Sequence, residues 1–288
     1  MKSLRDVLTE ADEKHVAVGH FNISELGALK GIFAGAVELH LPVLIGVSEG
    51  EREFIGVRAA VALIKNLREE FNYPIYLNAD HTHSLEKAIE AAKAGFDEII
   101  FDASKLPFEE NVKQTKEAVA AIRAINPNIV IEGEIGYIGS SSEIIDKRPK
   151  ESLTLSTPEE AVRFVTETGV DVLAPAVGNM HGLLKGMVSG EEHKHLNIER
   201  IVQLKKASGK FMTLHGGSGT ADEDFAAAAK NGMTIIHVSS ELRLAWRRGV
   251  EAGLKDPNEI APYKILPPAI EGIKNIVIDR LKLFNGLK

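Results

Sequence analysis

Short apolar runs alternate along the chain with longer segments of helical spacing. The short runs predict buried strands, because each is bounded by polar residues or glycine. The segments between them carry apolar residues at helical spacing, as at Leu26, Leu29 and Ile32. The predicted strands are residues 16–21, 42–46, 74–78, 98–101, 129–134, 170–177, 211–215 and 233–238. The predicted helices are residues 3–14, 24–37, 51–71, 84–95, 108–125, 197–207, 221–231 and 240–254, with another beginning at Thr157.

This alternation of eight strands with helices predicts an α/β fold. The connections are too long for hairpins, so the strands should run parallel. Eight strands favour a closed (β/α)8 TIM barrel over an open doubly wound sheet. We expect a single barrel domain over residues 1–288, with an N-terminal helix. An amphipathic C-terminal helix at 267–285 should pack on the barrel or on a neighbouring subunit.

Residues 136–156 differ from the rest of the chain because they show no apolar period. They contain three consecutive serines and a proline, so we expect a mobile loop. Long loops of this kind in compact domains often act as lids.

Composition and charge narrow the possible function classes. The 288 residues are 44% hydrophobic and 26% charged, as in globular proteins. The net charge of −7 argues against nucleic acid as the main partner, because phosphate backbones are bound by basic surfaces. Cysteine is absent, so any metal must be held by His, Asp or Glu. No run resembles a signal peptide or a membrane span, and we expect a cytoplasmic protein without a membrane partner.

Polar residues gather at or just after the carboxyl ends of the predicted strands. In a barrel these ends converge on one face, where barrel enzymes carry out their chemistry. The residues are Asn22, Ser48, Asp80, His81, Asp102, Glu134, His181, His215, Ser239 and Ser240.

Three of these strand-end residues are histidines: His81, His181 and His215. A catalytic zinc ion takes three protein ligands and keeps one open position, so the set predicts a metal site. His83 is a rival ligand, because it alternates with His81 along the chain. The four histidines without a strand-end position are expected on the surface: His15, His40, His193 and His195.

A glycine-rich turn, residues 216–219, follows the strand that ends at His215. Free backbone N–H groups in such a turn, with the predicted helix 221–231 behind it, favour phosphate binding. Lys185, in the loop after His181, is a candidate phosphate contact. Asp80 should point away from His81 if the backbone is extended, which suits proton transfer. Asp102 and Glu134 are candidates to orient the histidines or to bind the metal in a second position.

Several motifs, in order along nearly the whole chain, resemble those of one enzyme family. They are A79-D-H81, F101-D-A-S104, E132-G-E-I-G-Y-I-G139, T157-P-E-E-A161, T168-G-V-D-V-L-A174, M180-H-G182, L214-H-G-G-S-G219 and S240-E-L-R243. The family is that of the class II, metal-dependent fructose-bisphosphate and tagatose-bisphosphate aldolases. The resemblance implies a lyase that reversibly cleaves a ketose 1,6-bisphosphate, foremost fructose 1,6-bisphosphate. The products would be dihydroxyacetone phosphate and glyceraldehyde 3-phosphate, formed through a metal-stabilised enediolate.

The resemblance also implies roles for the site residues. The three histidines would hold zinc, and Asp102 and Glu134 would serve an alternate metal position. Asp80 would exchange a proton with the hydroxyl at the cleaved bond. Glu143, the nearest loop glutamate, would exchange one at the nucleophilic carbon. The residues implied in substrate and phosphate binding are Asn22, Ser48, Gly182, Lys185, Gly216, Gly217, Ser218, Ser239 and Ser240.

Further implications of the resemblance concern partners and one departure. Arg280 resembles an arginine that the family lends across a dimer interface to the distal phosphate. A homodimer or homotetramer, and a monovalent cation near the phosphate site, are also implied. His237 stands where the family usually has an asparagine that contacts the enediolate. Three outcomes are open for it: the same hydrogen bond, a role as an acid, or an altered substrate.

No predicted strand end carries the lysine that a Schiff-base aldolase would need, which favours the metal-dependent route. Three alternatives stay open. The first is an aldolase for tagatose bisphosphate or another ketose phosphate. The second is a metal-dependent hydrolase that uses His81 and His83 as a binuclear pair. The third is a non-catalytic subunit that binds phosphosugars.

Overall fold

A computed structural model describes residues 2–139, 143–147 and 154–288. Its strands are β1 (Val18–Asn22), β2 (Val43–Val47), β3 (Ile75–Thr82), β4 (Glu98–Phe101), β5 (Val130–Ile135), β6 (Ile144–Ile145), β7 (Val172–Pro175), β8 (Leu183–Leu184), β9 (Phe211–Leu214) and β10 (Ile235–Val238). Eight of them form a closed parallel barrel in the order β1-β10-β9-β7-β5-β4-β3-β2. The predicted (β/α)8 barrel is confirmed.

The helices lie between and around these strands. They are α1 (Leu4–Glu13), α2 (Leu26–Leu39), α3 (Glu49–Ile55), α4 (Val57–Phe71), α5 (Leu85–Ala94), α6 (Phe108–Ile125), α7 (Pro158–Thr168), α8 (Lys185–Ser189), α9 (Ile198–Ser208), α10 (Asp222–Lys230), α11 (Ser240–Gly253), α12 (Pro262–Ile265) and α13 (Pro267–Asn285). None of the helices in the described ranges has the length and apolar character needed to span a bilayer.

The amino end of the barrel is closed by α1. Ser3 caps this helix through a reciprocal pair of hydrogen bonds with Asp6, which fixes where it begins. Its buried face, Leu4, Val7, Leu8 and Ala11, packs on apolar side chains from seven barrel strands. The opposite, carboxyl end of the barrel is therefore the end left open to ligands.

The C-terminal helix α13 packs against α2, α11 and β1. Glycines in α2 permit the close approach, because a Cβ at Gly31 would lie 2.7 Å from the carbonyl oxygen of Ile270. Helix α13 therefore lies against helices and a strand of its own chain. Its packing on a neighbouring subunit stays a prediction.

Two predicted segments differ from the structure. The single helix predicted at 51–71 is two helices, α3 and α4, because Gly56 between them has φ 93°, which breaks the helix. The segment 136–156, predicted to lack regular structure, contains β6, which pairs with β8 in a small parallel sheet. The predicted lid also includes residues 140–142 and 148–153, which lie outside the described residues.

Candidate active site

A bulge at the end of β3 brings two adjacent residues into the same site. The register between β3 and β4 shifts between Ala79 and Thr82, and His81 has φ 41°. A left-handed residue is strained unless it is glycine, so the surrounding structure must hold it in place. The bulge turns Asp80 and His81 toward each other, with Oδ1 and Nε2 3.8 Å apart. The prediction that Asp80 points away from His81 is therefore wrong, because the backbone is not extended there.

The three strand-end histidines lie together. His81, His181 and His215 each offer one ring nitrogen, and these three nitrogens lie within 4.8 Å of one another. Zinc bonds of 2.0–2.1 Å require nitrogens about 3.4 Å apart, so a small contraction brings the rings to one ion. Among the described residues, His81 Nε2, His181 Nε2 and His215 Nδ1 are buried without a hydrogen-bond partner. Unpartnered imidazole nitrogens that converge on one point fit a divalent cation.

Carboxylates orient two of these rings. Asp102 Oδ2 lies 2.9 Å from His81 Nδ1, and the backbone and hydroxyl of Ser104 donate to the other oxygen of Asp102. Glu132 Oε1 lies 2.5 Å from His215 Nε2, and the Thr213 hydroxyl donates to Glu132 Oε2. A carboxylate that binds one imidazole nitrogen leaves the other free for a metal. Asp102 was predicted from its strand-end position, whereas Glu132 was not, although a glutamate inside the apolar run 129–134 is a usable signal.

A second group of possible ligands surrounds His81. Its ring nitrogen Nδ1 lies 3.9 Å from Glu134 Oε2, and His81, Asp102 and Glu134 offer atoms close enough to share an ion. His83 belongs to none of the candidate metal groups among the described residues. Its Nδ1 lies 3.1 Å from the backbone carbonyl oxygen of Asp102 instead. This arrangement speaks against a binuclear pair of His81 and His83.

Burial and neighbouring charges set the protonation of the site. Burial raises the pKa of Asp80, but the positive charges of His81 and His20 and a hydrogen bond from Asn22 hold it below its ordinary value. Burial lowers the pKa of His215 to about 3 and that of His181 well below its ordinary value. Two of the three imidazoles are thus neutral, as metal ligands must be. Asp80 is ionised and able to accept a proton.

A cavity of about 230 Å³ opens beside these groups at the carboxyl end of the barrel. Most of the predicted site residues line it: Asn22, Ser48, Asp80, His81, Asp102, His181, Gly182, Gly216, Gly217, Ser218, His237, Ser239 and Ser240. Arg243 also lines it and pairs with Glu51 at 2.7 Å. Arg243 belongs to the S240-E-L-R243 motif, but no role was predicted for it.

Five predicted residues lie outside the lining of this cavity. His215 and Glu134 lie buried beneath it, next to His81, and the other three lie farther toward the surface. Lys185 is 74% exposed and pairs with Asp146 at 2.6 Å. Arg280 pairs with Glu241 and Asp222 of its own chain, at 2.8 and 2.6 Å. Glu143 is exposed at the start of the small sheet. Their roles toward substrate stay predictions.

The glycine turn after β9 is tied to the start of α11. Ser218 Oγ accepts hydrogen bonds from the backbone N–H groups of Ser239 and Glu241. Gly216 has φ 58°, and a Cβ there would lie 2.3 Å from the carbonyl oxygen of Met180. Only glycine therefore fits at this position. Two helices therefore begin next to the turn. One is α10, as predicted, which begins at Asp222, and the other is α11, which begins at Ser240.

His237 lines the cavity and stacks on a second buried histidine. Its ring is 3.4 Å from that of His20, with an angle of 5° between the planes, and the two residues are register partners on β1 and β10. The His20 ring occupies the space above Gly46, where a Cβ would lie 2.1 Å from it. Parallel rings cannot both direct a nitrogen lone pair at one ion, so this pair does not form a metal site despite its proximity to Asp80. His20 was missed because it reads as part of an apolar strand.

Known proteins are similar to this chain in sequence and in fold. A sequence model described as "Fructose-bisphosphate aldolase class-II" matches residues 2–287. The chain belongs to the class II fructose-bisphosphate aldolase family. A fructose-bisphosphate aldolase of Geobacillus stearothermophilus is 35% identical over 99% of this chain and 96% of its own. A probable fructose-bisphosphate aldolase of Bacillus subtilis (strain 168) is 34% identical over 99% and 97%.

A solved structure supports the same family assignment. The crystal structure of the YdjI aldolase from Escherichia coli K12 matches with a TM-score of 0.82 and 26% identity, over 98% of this chain and 96% of that one. Class II aldolases are lyases that generally depend on a metal, and the convergent histidines of this chain provide a place for one.

Proposed function

We propose that this protein is a zinc-dependent class II aldolase that cleaves fructose 1,6-bisphosphate to dihydroxyacetone phosphate and glyceraldehyde 3-phosphate. The observation that supports it best is the convergence of three unpartnered imidazole nitrogens beside an ionised Asp80 and a glycine-built turn. Tagatose 1,6-bisphosphate is the alternative substrate, because the two sugars differ at one hydroxyl. Membership of the aldolase family supports the reaction class.

His81, His181 and His215 would hold the metal. When bound, it supplies Lewis-acid polarisation of the substrate carbonyl and hydroxyl oxygens. Asp102 and Glu132 hold the rings of His81 and His215 so that the correct nitrogens face the ion. Asp102 and Glu134 offer the alternate position beside His81.

Asp80 accepts the proton of the substrate hydroxyl next to the carbon–carbon bond that breaks. As that O–H bond breaks, a carbonyl forms at the same carbon, and the electron pair of the cleaved bond moves toward the ketose carbonyl. Asn22 Nδ2 donates to Asp80 Oδ2 at 2.7 Å, which holds the carboxylate in place for this transfer. Glu143 then delivers a proton to the carbon that was left with the electron pair.

The remaining residues bind the anionic ends of the substrate. The backbone at Gly182, Gly216 and Gly217, with the hydroxyls of Ser218, Ser239 and Ser240, would hold one phosphate. Ser48 and Asn22 would line the sugar chain. His237 Nε2 is buried without a partner among the described residues, and it would donate the hydrogen bond that an asparagine makes in most of the family. Lys185 and Arg280, the latter from a partner subunit, are proposed for the distal contacts.

The test is a coupled assay for triose phosphate on chelator-treated and zinc-reloaded protein, with fructose and tagatose 1,6-bisphosphates as substrates. We expect turnover of at least one sugar, loss of turnover with chelator, and recovery with zinc. Reloaded protein that releases no triose phosphate from either sugar would refute the proposal and favour a non-catalytic phosphosugar-binding subunit.

His81 and His83 give a matched pair of variants. His81→Ala should abolish both zinc binding and aldol cleavage, whereas His83→Ala should leave both within a few-fold of wild type. A hydrolase with a binuclear pair would lose its activity in both variants, so equal loss would favour that alternative.

A further inference from the structure

Lys194 is a fully buried lysine that lies between the two loops carrying metal-site histidines. Its ammonium nitrogen Nζ lies 2.8 Å from the carbonyl oxygens of Met180 and Gly182, on either side of His181. It also lies 3.0 and 2.5 Å from those of Gly216 and Ser218, in the turn after His215. One side chain therefore contacts both loops through four backbone oxygens.

The position of this side chain is fixed by its own backbone. The Lys194 N–H donates to the carbonyl oxygen of Gly219, and the Ala221 N–H donates to that of Lys194. Residue 194 and Thr220 thus form an isolated parallel bridge beside the glycine turn. The lysine is consequently attached to the same turn that its ammonium group stabilises.

A cluster of carbonyl oxygens around one point is the environment that proteins use for dehydrated monovalent cations. The partial negative charges repel one another when no cation is present, and a buried ammonium is stable only when hydrogen bonds satisfy it. Here the ammonium group of Lys194 offsets the repulsion among the four carbonyl oxygens, and these oxygens accept the hydrogen bonds that the buried ammonium needs. The left-handed turn at Gly216, with its φ of 58°, directs a carbonyl toward the ammonium.

We propose that the Lys194 ammonium is a built-in monovalent cation of this site. It holds residues 180–182 and 216–218 in the orientation in which His181 and His215 face the metal and Gly182, Gly216 and Ser218 line the cavity. Lys194 is a positioning residue, because its ammonium group donates hydrogen bonds to the backbone carbonyl oxygens of these two loops. No free potassium, sodium or ammonium ion is then needed there. The consequence for phosphate binding rests on the proposed aldolase function, whereas the cation site itself does not.

Three proteins test this proposal: wild type, Lys194→Ala and Lys194→Met, all zinc-loaded. Alanine leaves room for an ion among the carbonyls, whereas methionine fills the space with an uncharged chain of similar length. Each is studied in choline, potassium and ammonium chlorides at equal ionic strength. The readouts are the thermal unfolding midpoint and aldol turnover.

We expect the midpoint and turnover of wild type to be the same in all three salts. Lys194→Ala should lose about 100-fold in turnover in choline, because the loops shift by about 1 Å. Its midpoint and turnover should rise with potassium or ammonium, since an ion that binds only the folded state stabilises it. Lys194→Met should lose turnover equally and respond to no salt. If Lys194→Ala is unfolded in choline, refolding in potassium or ammonium replaces the midpoint as the readout.

Several results would overturn the proposal. The first is wild-type protein that is more active in potassium than in choline. The second is a Lys194→Ala protein whose midpoint and turnover are the same in all three salts. The third is a Lys194→Ala protein that does not fold in any of the three salts. The thermal midpoint needs no turnover. Absence of aldol cleavage with a cation-specific midpoint shift would therefore reject the proposed function and leave the cation site standing.

Discussion

Replacing Glu132 with glutamine tests whether a buried carboxylate is what fits His215 to bind metal. Glu132 is fully buried, and its carboxyl oxygens lie 2.5 Å from His215 Nε2 and 2.7 Å from the Thr213 hydroxyl. Glutamine keeps the size and one acceptor oxygen but cannot ionise, whereas the glutamate can give up its proton and become a carboxylate. Loss of such an orienting partner typically weakens metal binding 10- to 100-fold, which is about 1.4–2.7 kcal/mol.

The effect on folding should have the opposite direction. Burial raises the pKa of Glu132 to about 8, above its ordinary value of 4.5. The folded state therefore binds more protons than the unfolded state between these values, and the stability of the metal-free protein falls as pH rises through that range. The neutral amide of glutamine does not titrate, so the Glu132→Gln variant does not lose stability in this pH range. Glu132→Gln without metal should be as stable as wild type at pH 5 and more stable at pH 8.

The assay is zinc competition with a chromophoric chelator, together with urea unfolding of metal-free protein. Glu98→Gln is the matched control, because Glu98 is equally buried on the neighbouring strand but accepts from Asn78 rather than His215. Burial also raises the pKa of Glu98, so both variants should gain stability. Equal zinc affinity in Glu132→Gln, Glu98→Gln and wild type would show that His215 does not depend on the carboxylate.

Three further predictions follow from single contacts. Gly216→Ala should lose about 100-fold in aldol turnover, because its Cβ would clash with the Met180 carbonyl oxygen. Gly209→Ala is the control: it has a similar φ of 61° and open space around it, and it should lose only about 1 kcal/mol of stability. Similar turnover in the two variants would show that the clash does not matter. His20→Gln should flatten the pH dependence of stability by about 2 kcal/mol between pH 7.5 and pH 5. The reason is that burial lowers the pKa of His20 to about 4, so the unfolded state binds more protons and wild type loses stability as pH falls; an unchanged slope in urea unfolding would contradict this. Zinc at about 100 times its dissociation constant should stabilise the stripped protein by about 2.7 kcal/mol, and a His81→Ala variant that gains as much would place the ion elsewhere.

The barrel and the grouping of three strand-end histidines were predictable because both depend on periodicity. Apolar runs mark where strands end, and parallel topology brings those ends together, so His81, His181 and His215 could be grouped without coordinates. The four histidines without that position, such as His40 and His193, are indeed exposed.

Residues inside the strands were harder to find. Glu132 and His20 are buried in strands whose other residues are mostly apolar. The only indication of a function in the sequence is the presence of a polar residue within such an apolar run. The bulge at His81 leaves no periodic trace, so the direction of Asp80 could not be predicted. Lys194 lies between two exposed histidines in a polar loop, and nothing in the local pattern indicates that it is buried.

The closing seam of the barrel has a consequence for how the chain is made. Strand β1 pairs with β10, and the Ala17 N–H donates to the carbonyl oxygen of Phe284 in α13. Leu281 of the same helix covers Gly19, where a Cβ would lie 2.8 Å from it. During synthesis, the first strand leaves the ribosome more than 250 residues before the helix that covers it. Nascent β1 therefore keeps one sheet edge and one face uncovered until β10 and α13 have been synthesised.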